Sequence, residues 1–475
     1  MKERAATSAL GGWALAAALA LCAVGHAAQA QAQATAFTPQ ERAAILPALD
    51  DCARGGAARL GQLDDDALQA ALIEQARTDL GQRIRPSQVD SFWAIEPPKR
   101  DVEAEFAQAR AQGRLQAWIQ GLEPTFPRYR ALQAGCRRYA ALVASGGWEP
   151  LADGPALRAG DHDPAVAALR LRLAREGYAP ATAQDPELFD DALAEALGRF
   201  QERHGLEADA VLGPKTRAAL NVTAQARLSQ IEMNLERWRW LPRTLPAERI
   251  EVDIGGAEAT YFVQDKPALA MRAVVGDPKH HTPMFISRVE SVLFNPPWNV
   301  PTSIVQKEIL PKAARNPGYL AKNNFTYIDG RLVQRPGPKN SLGVVKFDLP
   351  SPFGVYLHDT PAKSAFDRTD RALSHGCMRL QKPRELAALL LGRQGQGADT
   401  VEQAIAAGVT SRTMLTTAVP LYVVYWTAVA DDAGEVSFRP DVYGWDDKLA
   451  AALAEAQAKR AALSQAATGC GGGEG

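Results

Sequence analysis

Cysteine is scarce in this chain, with five residues among 475. No Cys-x-x-Cys pair and no His-Glu-x-x-His run is present, and the adjacent residues His280 and His281 would be poor chelators because they are side by side. We therefore expect no metal site. Cys52 and Cys136 are candidates for a disulfide in an oxidising compartment, with two buried free thiols as the alternative.

A large excess of charge of either sign is also absent. The formal net charge is −1, so nothing in the composition predicts a polyanionic partner, and we expect no binding of nucleic acid. Apolar residues make up 46% of the chain and charged residues 23%, which is typical of a soluble globular protein. A length of 475 residues is too great for one ordinary domain and indicates two to four.

Long apolar runs are missing except at the N-terminus. Lys2 and Arg4 precede an apolar run over residues 9–24, and Ala28-Gln29-Ala30 is a small-x-small cleavage site. This pattern predicts a signal peptide over residues 1–30 and therefore export. The run is close to the shortest length that spans a membrane, so an uncleaved membrane anchor is the alternative.

The hydrophobic pattern divides the rest of the chain. Residues 31–150 show short helical stretches, at 39–49 and 65–78, which predict an α-helical scaffold. Residues 155–222 read as three helices, the first with Asp163 as N-cap and Pro164 as its first residue. A connector helix is expected within residues 223–248.

From residue 249 the apolar pattern has a period of two, which is typical of strands. We predict a mostly β domain over 249–430, interrupted by a long insertion at 301–340 of the kind that forms lids or binding loops. A C-terminal segment follows at 431–475. The fold class is thus multidomain α+β.

The chemistry is concentrated late in the β region. A strand predicted at 353–358 places Tyr356 and His358 on one face, and Cys377 follows nineteen residues after His358. An imidazole beside a thiol would take its proton and lower the thiol pKa toward neutrality. Gly376 would let a carbonyl approach backbone N–H groups, and Arg379 could bind a carboxylate. The alternative is that this cysteine and histidine are ordinary core residues.

The residues around Cys377 resemble a known signature. His358-Asp359-Thr360-Pro361, followed by residues 374–380 with the sequence Ser-His-Gly-Cys-Met-Arg-Leu, resemble the active site of the L,D-transpeptidases, or YkuD family. Residues 295–301 and 336–343 are similar to the larger, YcbB-like sub-family. The resemblance implies Cys377 as nucleophile, His358 as base and the backbone carbonyl of Asp359 as third member.

The resemblance implies roles for further residues. Gly376 would lie in the oxyanion region and His375 would support the turn before the nucleophile. Four residues are candidates for contacts with substrate: Tyr356, Arg379, Trp298 and Ser374. In the YcbB-like enzymes the segment that matches 301–340 caps the substrate groove.

Residues 155–222 resemble the type 1 peptidoglycan-binding domain. The resemblance rests on Phe200-Gln201, His204-Gly205-Leu206 and the run at 209–216. The family commonly has glycine where Ala210 stands. Glycan binding is what this resemblance implies; without it the segment is simply a small helical domain.

Together the resemblances imply an enzyme of the periplasm that acts on peptidoglycan stem peptides and glycan strands. Cys377 would attack the third residue of a tetrapeptide stem, release D-alanine and pass the acyl group to a neighbouring stem as a 3→3 cross-link, without a metal or organic cofactor. Two alternatives stay open: an L,D-carboxypeptidase or other cysteine hydrolase of stems, and a non-catalytic cell-wall-binding protein.

Overall fold

The computed structural model describes residues 36–49, 62–179 and 181–469. The predicted signal peptide, Cys52 and Cys470 lie outside these residues. The chain separates into two compact units, one of residues up to Asp79 with 100–123, the other of 80–99 with 124 onward. The region predicted as one scaffold, 31–150, is therefore divided between the units.

The described residues up to 150 are mostly helical, as predicted. Their helices are α1 (Pro39–Ala48), α2 (Asp65–Asp79), α3 (Pro86–Val89), α4 (Val102–Ala111), α5 (Leu115–Gln120) and α6 (Pro127–Ala144). Helices α1, α2, α4 and α5 belong to the first unit. Thr38 and Glu41 form a reciprocal capping box that starts α1. Phe106 joins the unit's core by edge-on ring contacts with Phe37 and Trp118.

A three-helix domain follows, of α7 (Pro164–Arg175), α8 (Asp191–Arg203) and α9 (Pro214–Leu220). The carboxylates of Asp163 and Asp190 accept backbone N–H groups at the starts of α7 and α8, which satisfies donors that the helices leave unpaired. Ala210 has φ +53°, the left-handed conformation that favours glycine. The turn thus forms even without the glycine usual in that family.

Helix α10 (Ala224–Trp240) connects this domain to the sheet. Most of its side chains are buried, because it packs on α6 on one side and the β domain on the other. Trp238 stacks on Trp426, with ring centroids 4.5 Å apart. The predicted connector is therefore a core element of the second unit.

The β domain is one nine-stranded sheet with two small ones. Its strands are β1 (Arg249–Asp253), β2 (Glu258–Val263), β3 (Lys266–Gly276), β4 (Phe285–Phe294), β5 (Trp298–Asn299), β6 (Phe325–Ile328), β7 (Arg331–Gln334), β8 (Val345–Asp348), β9 (Leu357–His358), β10 (Ala372–Ser374), β11 (Met378–Leu380), β12 (Ser411–Val424), β13 (Ala428–Ala430) and β14 (Val436–Phe438). The large sheet has the order β10-β3-β11-β9-β8-β4-β12-β1-β2, and β2 also pairs with β3. The sheet therefore returns on itself at β3.

The strand predicted at 353–358 is shorter in the structure. Only Leu357 and His358 form β9, since Pro352 cannot donate a ladder hydrogen bond and Gly354 has φ +66°. Two helices, α14 (Pro383–Gly392) and α15 (Ala398–Ala406), follow β11.

The insertion at 301–340 forms a small subdomain. Strands β5, β7 and β6 make a three-stranded sheet that packs on α11 (Thr302–Ile304), a π-helical turn (Val305–Ile309), α12 (Leu310–Arg315) and α13 (Tyr319–Lys322). Its own core contains Ile309, Phe325 and Leu332. The helical stretch of the insertion is interrupted by the π turn, which precedes Pro311, a residue without a backbone N–H.

The last elements among the described residues are the hairpin β13–β14 and helix α16 (Trp445–Gly469). Within the described residues, no helix has the length and apolarity needed to cross a membrane. The fold is multidomain α+β, as the sequence predicted.

Candidate active site

Cys377 lies between two short strands of the large sheet, β10 and β11. Strand β11 runs parallel to β9 and antiparallel to β3, with Met378 opposite Leu357 and Arg379 opposite His358. The Met378 N–H donates to the Tyr356 carbonyl over 3.0 Å. This register returns the chain beside its own strand and places Cys377 level with Tyr356.

The turn before Cys377 is held by Ser374. Its hydroxyl donates to the Cys377 carbonyl over 2.6 Å and accepts the Gly376 N–H over 3.1 Å. Ser374 is only 2% exposed and its hydroxyl is used within the loop, so its contact with substrate stays a prediction. Gly376 has φ +103°, and a Cβ there would lie 3.2 Å from the His281 carbonyl oxygen, so the turn requires glycine.

Backbone donors near the thiol are partly occupied. Because the Gly376 N–H already bonds to Ser374, it is not a free oxyanion donor. The Cys377 N–H has no partner among the residues that the structure describes. The backbone position able to hold a developing oxyanion is therefore that of Cys377 itself.

His358 is buried and oriented by its neighbour. It is 4% exposed, and its Nδ1 donates to the backbone carbonyl of Asp359, which leaves Nε2 as the unprotonated nitrogen. Burial, reinforced by the charge of Arg379, lowers the pKa of His358 to about 3. The imidazole is thus neutral over the physiological range.

The thiol of Cys377 is not in an ion pair with His358. Burial raises its pKa, and the opposing hydrogen bonds come from the backbone N–H and phenol of Tyr356. No hydrogen bond joins the imidazole to the sulfur in the described chain. The prediction that His358 lowers the thiol pKa toward neutrality is therefore wrong for this structure, since burial outweighs the other effects.

Tyr356 links the thiol to the insertion. Burial and hydrogen bonding to Cys377 raise the pKa of its phenol, which also interacts with the side chain of Trp298. Its ring lies edge-on to His358 at 5.6 Å, and Lys346 Nζ is 4.6 Å from the ring centroid. Trp298 in turn packs on the core of the insertion.

Arg379 presents a cation beside the thiol and the imidazole. It is half-buried, and burial lowers its pKa. Across the described ranges no carboxylate pairs with it, which fits a group that binds an anion from outside the chain.

His375 faces the insertion. Its Nε2 lies 2.8 Å from a carboxylate oxygen of Glu308 in the π-helical turn, and its ring is 4.3 Å from that of His280. His280 Nδ1 donates to the Asp277 carboxylate over 3.0 Å. The structure thus gives His375 a contact between the nucleophile loop and the insertion.

Two residues near the site were not found from the sequence. Thr282 donates to the Gly376 carbonyl over 2.8 Å, and Tyr443 donates to the Gly276 carbonyl over 2.7 Å. His281 stacks on Tyr443 with ring centroids 4.2 Å apart. Tyr443 comes from the distant C-terminal segment, and no local pattern marks it. In the part of the chain that the structure describes, no group of three or more histidine, cysteine, aspartate or glutamate side chains could hold a metal.

One of the two cysteines of the predicted disulfide, Cys136, lies in the described residues. Cys136 is buried and disulfide-bonded. Cys52 lies outside the described residues, so the pairing of these two stays a prediction.

Three segments match known domain families. Residues 247–408 match the L,D-transpeptidase catalytic domain (YkuD), residues 162–220 the peptidoglycan binding domain (PG_binding_1) and residues 12–135 a Scaffold domain. A curated protein of Haemophilus influenzae, named "Putative L,D-transpeptidase", is 29% identical over 240 residues, which are 46% of this chain and 48% of that protein. The chain thus spans about half the length of the curated relative it matches.

Solved structures show weak similarity. An L,D-transpeptidase from Mycobacterium smegmatis is 17% identical with a TM-score of 0.20, covering 37% of this chain and 58% of that one. An L,D-transpeptidase from Stackebrandtia nassauensis is 12% identical with a TM-score of 0.23, covering 58% and 96%. Similarities this low carry no conclusion about this chain. The domain matches do: the chain contains a YkuD-type L,D-transpeptidase catalytic domain and a peptidoglycan-binding domain.

Proposed function

We propose that this protein is a peptidoglycan L,D-transpeptidase that forms 3→3 cross-links between stem peptides. The observation that carries the proposal is that the matched catalytic domain, 247–408, contains Cys377 in a loop between β10 and β11, beside the strand that bears His358. The activity, substrates and partners of the whole protein are part of this proposal.

In the first half-reaction His358 Nε2 takes the proton of the Cys377 thiol. The sulfur attacks the carbonyl carbon of the third stem residue, and the negative charge on oxygen is held by the Cys377 N–H. The tetrahedral intermediate collapses as His358 returns the proton to the leaving amine, so that D-alanine departs and a thioester remains.

In the second half-reaction the side-chain amine of a neighbouring stem attacks the thioester. His358 takes the proton that this amine loses, the new amide forms and the sulfur leaves as a thiolate that recovers the proton. The carbonyl of Asp359 fixes the ring so that Nε2 serves both steps, because it accepts the Nδ1–H bond.

The half-reactions start from neutral groups. The lowered pKa of His358 leaves the imidazole free to accept a proton but makes it a weak base, so proton transfer accompanies attack by the sulfur and the thiolate need exist only as the bond to carbon forms. Tyr356 supports the developing thiolate through its phenol and backbone N–H. Arg379, without a partner carboxylate in the described residues, is our candidate for binding a stem carboxylate, and Trp298 for contact with the stem.

We infer an exported, periplasmic protein, and the match of residues 162–220 to a peptidoglycan-binding domain supports this inference. The predicted signal at 1–30 would supply the export, and a membrane anchor remains the alternative if that segment is retained.

The test uses the purified mature protein with tetrapeptide muropeptides, comparing the parent with Cys377→Ala by mass spectrometry. We expect cross-linked dimers and free D-alanine with the parent and neither with the variant. D-alanine with only tripeptide monomers would instead identify an L,D-carboxypeptidase. Unchanged substrate with the parent would favour a non-catalytic binding protein.

A further inference from the structure

The insertion at 301–340 carries a charge opposite to that of the rest of the chain. It contains seven lysines and arginines against two acidic residues, which gives it a net charge of +5. The whole chain has a net charge of −1, so the remainder carries −6. The insertion is thus a cationic subdomain of an otherwise anionic protein.

All seven cations of the insertion are exposed, and only one has an acidic partner. Lys312 lies 3.8 Å from Glu308, which also bonds to His375. The other six form no ion pair with any described residue: Lys307, Arg315, Lys322, Arg331, Arg335 and Lys339. Exposed cations that serve solubility are usually interspersed with acidic residues. A surface with charges of one sign instead indicates an anionic partner.

Three of these cations are held together by the backbone. Lys339 Nζ donates to the Lys322 carbonyl over 2.9 Å, and the Arg335 N–H donates to the Asn324 carbonyl over 2.9 Å. The buried side chain of Gln334 ties the same two segments by donating to the carbonyls of Asn323 and Lys339. Lys322, Arg335 and Lys339, which we call the basic cluster, are therefore kept near one another despite their like charges.

The insertion's only unpaired acid is far from the basic cluster. Asp329 sits in the turn of the β6–β7 hairpin, while the cluster lies at the hairpin's open end, roughly 17 Å away for five extended residues. That separation exceeds the screening length of about 8 Å at physiological salt. Asp329 therefore does not neutralise the cluster.

Apolar groups accompany the charges. Tyr327 is 56% exposed and Ile328 45% exposed on β6, and Ile328 pairs with the cationic Arg331. An aromatic and an aliphatic side chain beside cations suit a partner that alternates ring or methyl groups with anions.

The insertion that carries these cations borders the candidate active site. The insertion follows directly on Trp298, whose side chain interacts with Tyr356 beside the thiol. Glu308, within the insertion, contacts His375 two residues before Cys377. A polymer bound at the thiol would therefore run next to the insertion.

We propose that the insertion is an electrostatic docking surface for a polymer with repeating carboxylates, namely a glycan strand bearing several stem peptides. One stem occupies the site of Cys377, and the carboxylates of neighbouring stems contact the basic cluster. The proposal rests on the proposed function and deepens it, since it makes the polymer a better substrate than a single muropeptide.

The test compares the parent full-length protein with Lys322→Gln/Arg335→Gln/Lys339→Gln. Binding to purified sacculi is measured by co-sedimentation over a range of NaCl concentrations. We expect the triple variant to bind roughly tenfold more weakly at low salt and to show a shallower salt dependence, because three screened contacts are lost. Sacculi whose carboxylates have been amidated should bind parent and variant equally weakly.

The matched control removes three cations of the catalytic domain outside the insertion, in Lys266→Gln/Arg368→Gln/Lys382→Gln, and should bind sacculi as the parent does. Equal losses in both triple variants, parent binding that ignores salt, or full binding to amidated sacculi would overturn the proposal. If inorganic polyphosphate displaced the protein from sacculi while amidation had no effect, the partner would be a phosphate polymer, and the proposal would also be overturned.

A second readout separates this proposal from the proposed function. The basic-cluster variant should turn over single tetrapeptide muropeptides at the parent rate, because the cluster lies outside the catalytic groups. If the parent does not turn over muropeptides, the proposed function fails while the sacculus binding still tests the docking surface. If the variant loses muropeptide turnover as well, the cluster is not a docking surface alone and the proposal fails.

Discussion

The environment of Cys377 depends on Tyr356 more than on His358. The sulfur's hydrogen bonds come from the Tyr356 backbone N–H and phenol, whereas burial raises the thiol pKa. A hydrogen bond to a charged group stabilises it more than a bond between neutral groups does. The phenol therefore contributes to the reactivity of the thiol without taking part in proton transfer.

Replacing Tyr356 by phenylalanine should slow the alkylation of Cys377. Loss of the phenol bond to the thiolate raises the thiol pKa further, and we expect a rate about tenfold lower with iodoacetamide at pH 8. Tyr327→Phe, which changes an exposed phenol in the insertion, is the control and should react as the parent does. An unchanged rate in Tyr356→Phe would show that the phenol bond does not stabilise the thiolate.

The pH dependence of Cys377 labelling follows from the two pKa shifts. The pKa of the thiol is raised, and that of His358 is lowered to about 3. From pH 4 up to the pH at which a free thiol normally ionises, both groups therefore stay neutral. We expect the alkylation rate to rise continuously with pH through pH 9, without a plateau at pH 5–7. A plateau at pH 5–7, measured by mass spectrometry of the labelled peptide, would reveal a thiolate–imidazolium pair instead.

The lowered pKa of His358 also determines how far kcat/KM persists at acidic pH. Since the lowered pKa of His358 keeps the imidazole unprotonated well below its usual range, kcat/KM on muropeptides should not fall at pH 6.5 as pH is reduced. A half-maximal kcat/KM near pH 6.5 in the parent, on a substrate whose own groups do not titrate there, would contradict this expectation.

At the scale of elements, the insertion contacts the loop between β10 and β11 that contains Cys377. Glu308 stands in the π-helical turn and reaches His375, and Trp298 at the insertion's start reaches Tyr356. Such π turns often occur at functional positions, because they redirect one side chain without ending the helix. The contact is half-exposed, so it contributes modestly to stability.

Glu308→Gln should loosen the insertion. Loss of the charge on one side of a half-exposed pair removes up to ~1 kcal/mol, which corresponds to about a fivefold increase in amide hydrogen exchange across 301–340. The control is Glu290→Gln, which removes the acid of an exposed pair with Arg288 at 2.6 Å on the sheet. Equal exchange in the insertion of the parent and Glu308→Gln would show that the contact does not hold it.

At the scale of the whole molecule, a buried polar network joins the peptidoglycan-binding domain to the rest of the second unit. Glu176, next to α7, accepts bonds of 2.6 Å from both Arg172 and the phenol of Tyr139 on α6. His204 stacks between Phe200, at 3.7 Å, and Phe438 of β14, at 5.4 Å. The two parts are thus packed as one body rather than strung on a linker.

Glu176→Gln should destabilise this unit. Arg172 would keep its buried charge without the carboxylate, and breaking such a pair costs about 3–5 kcal/mol. The midpoint of urea unfolding should fall accordingly. Glu195→Gln, which removes the acid of an exposed pair with Arg199, should change the free energy of unfolding by no more than about 0.5 kcal/mol. Similar midpoints of urea unfolding for the two variants would show that the network does not stabilise this unit.

Much of the fold could be predicted from the chain because it is encoded locally. Asp163 and Pro164 mark the start of α7, and the apolar spacing of α8 and α10 indicates their buried faces. The period-two stretches became β1 to β4. By contrast, β9 and β11 are two and three residues long, too short to show a period, and their pairing depends on residues far apart in sequence.

The sequence by itself determined the identities and spacing that mark the site: Cys377, His358 with its following carbonyl, and a glycine at 376. Tertiary structure alone decided their electrostatics, because burial depends on what packs around them. The expected thiolate–imidazolium pair is absent, because burial raises the pKa of the Cys377 thiol beside Tyr356. The Ser374 hydroxyl is bonded within the loop, and His375 contacts Glu308. Charge counts are local sums, but pKa values and contacts are properties of the packed molecule.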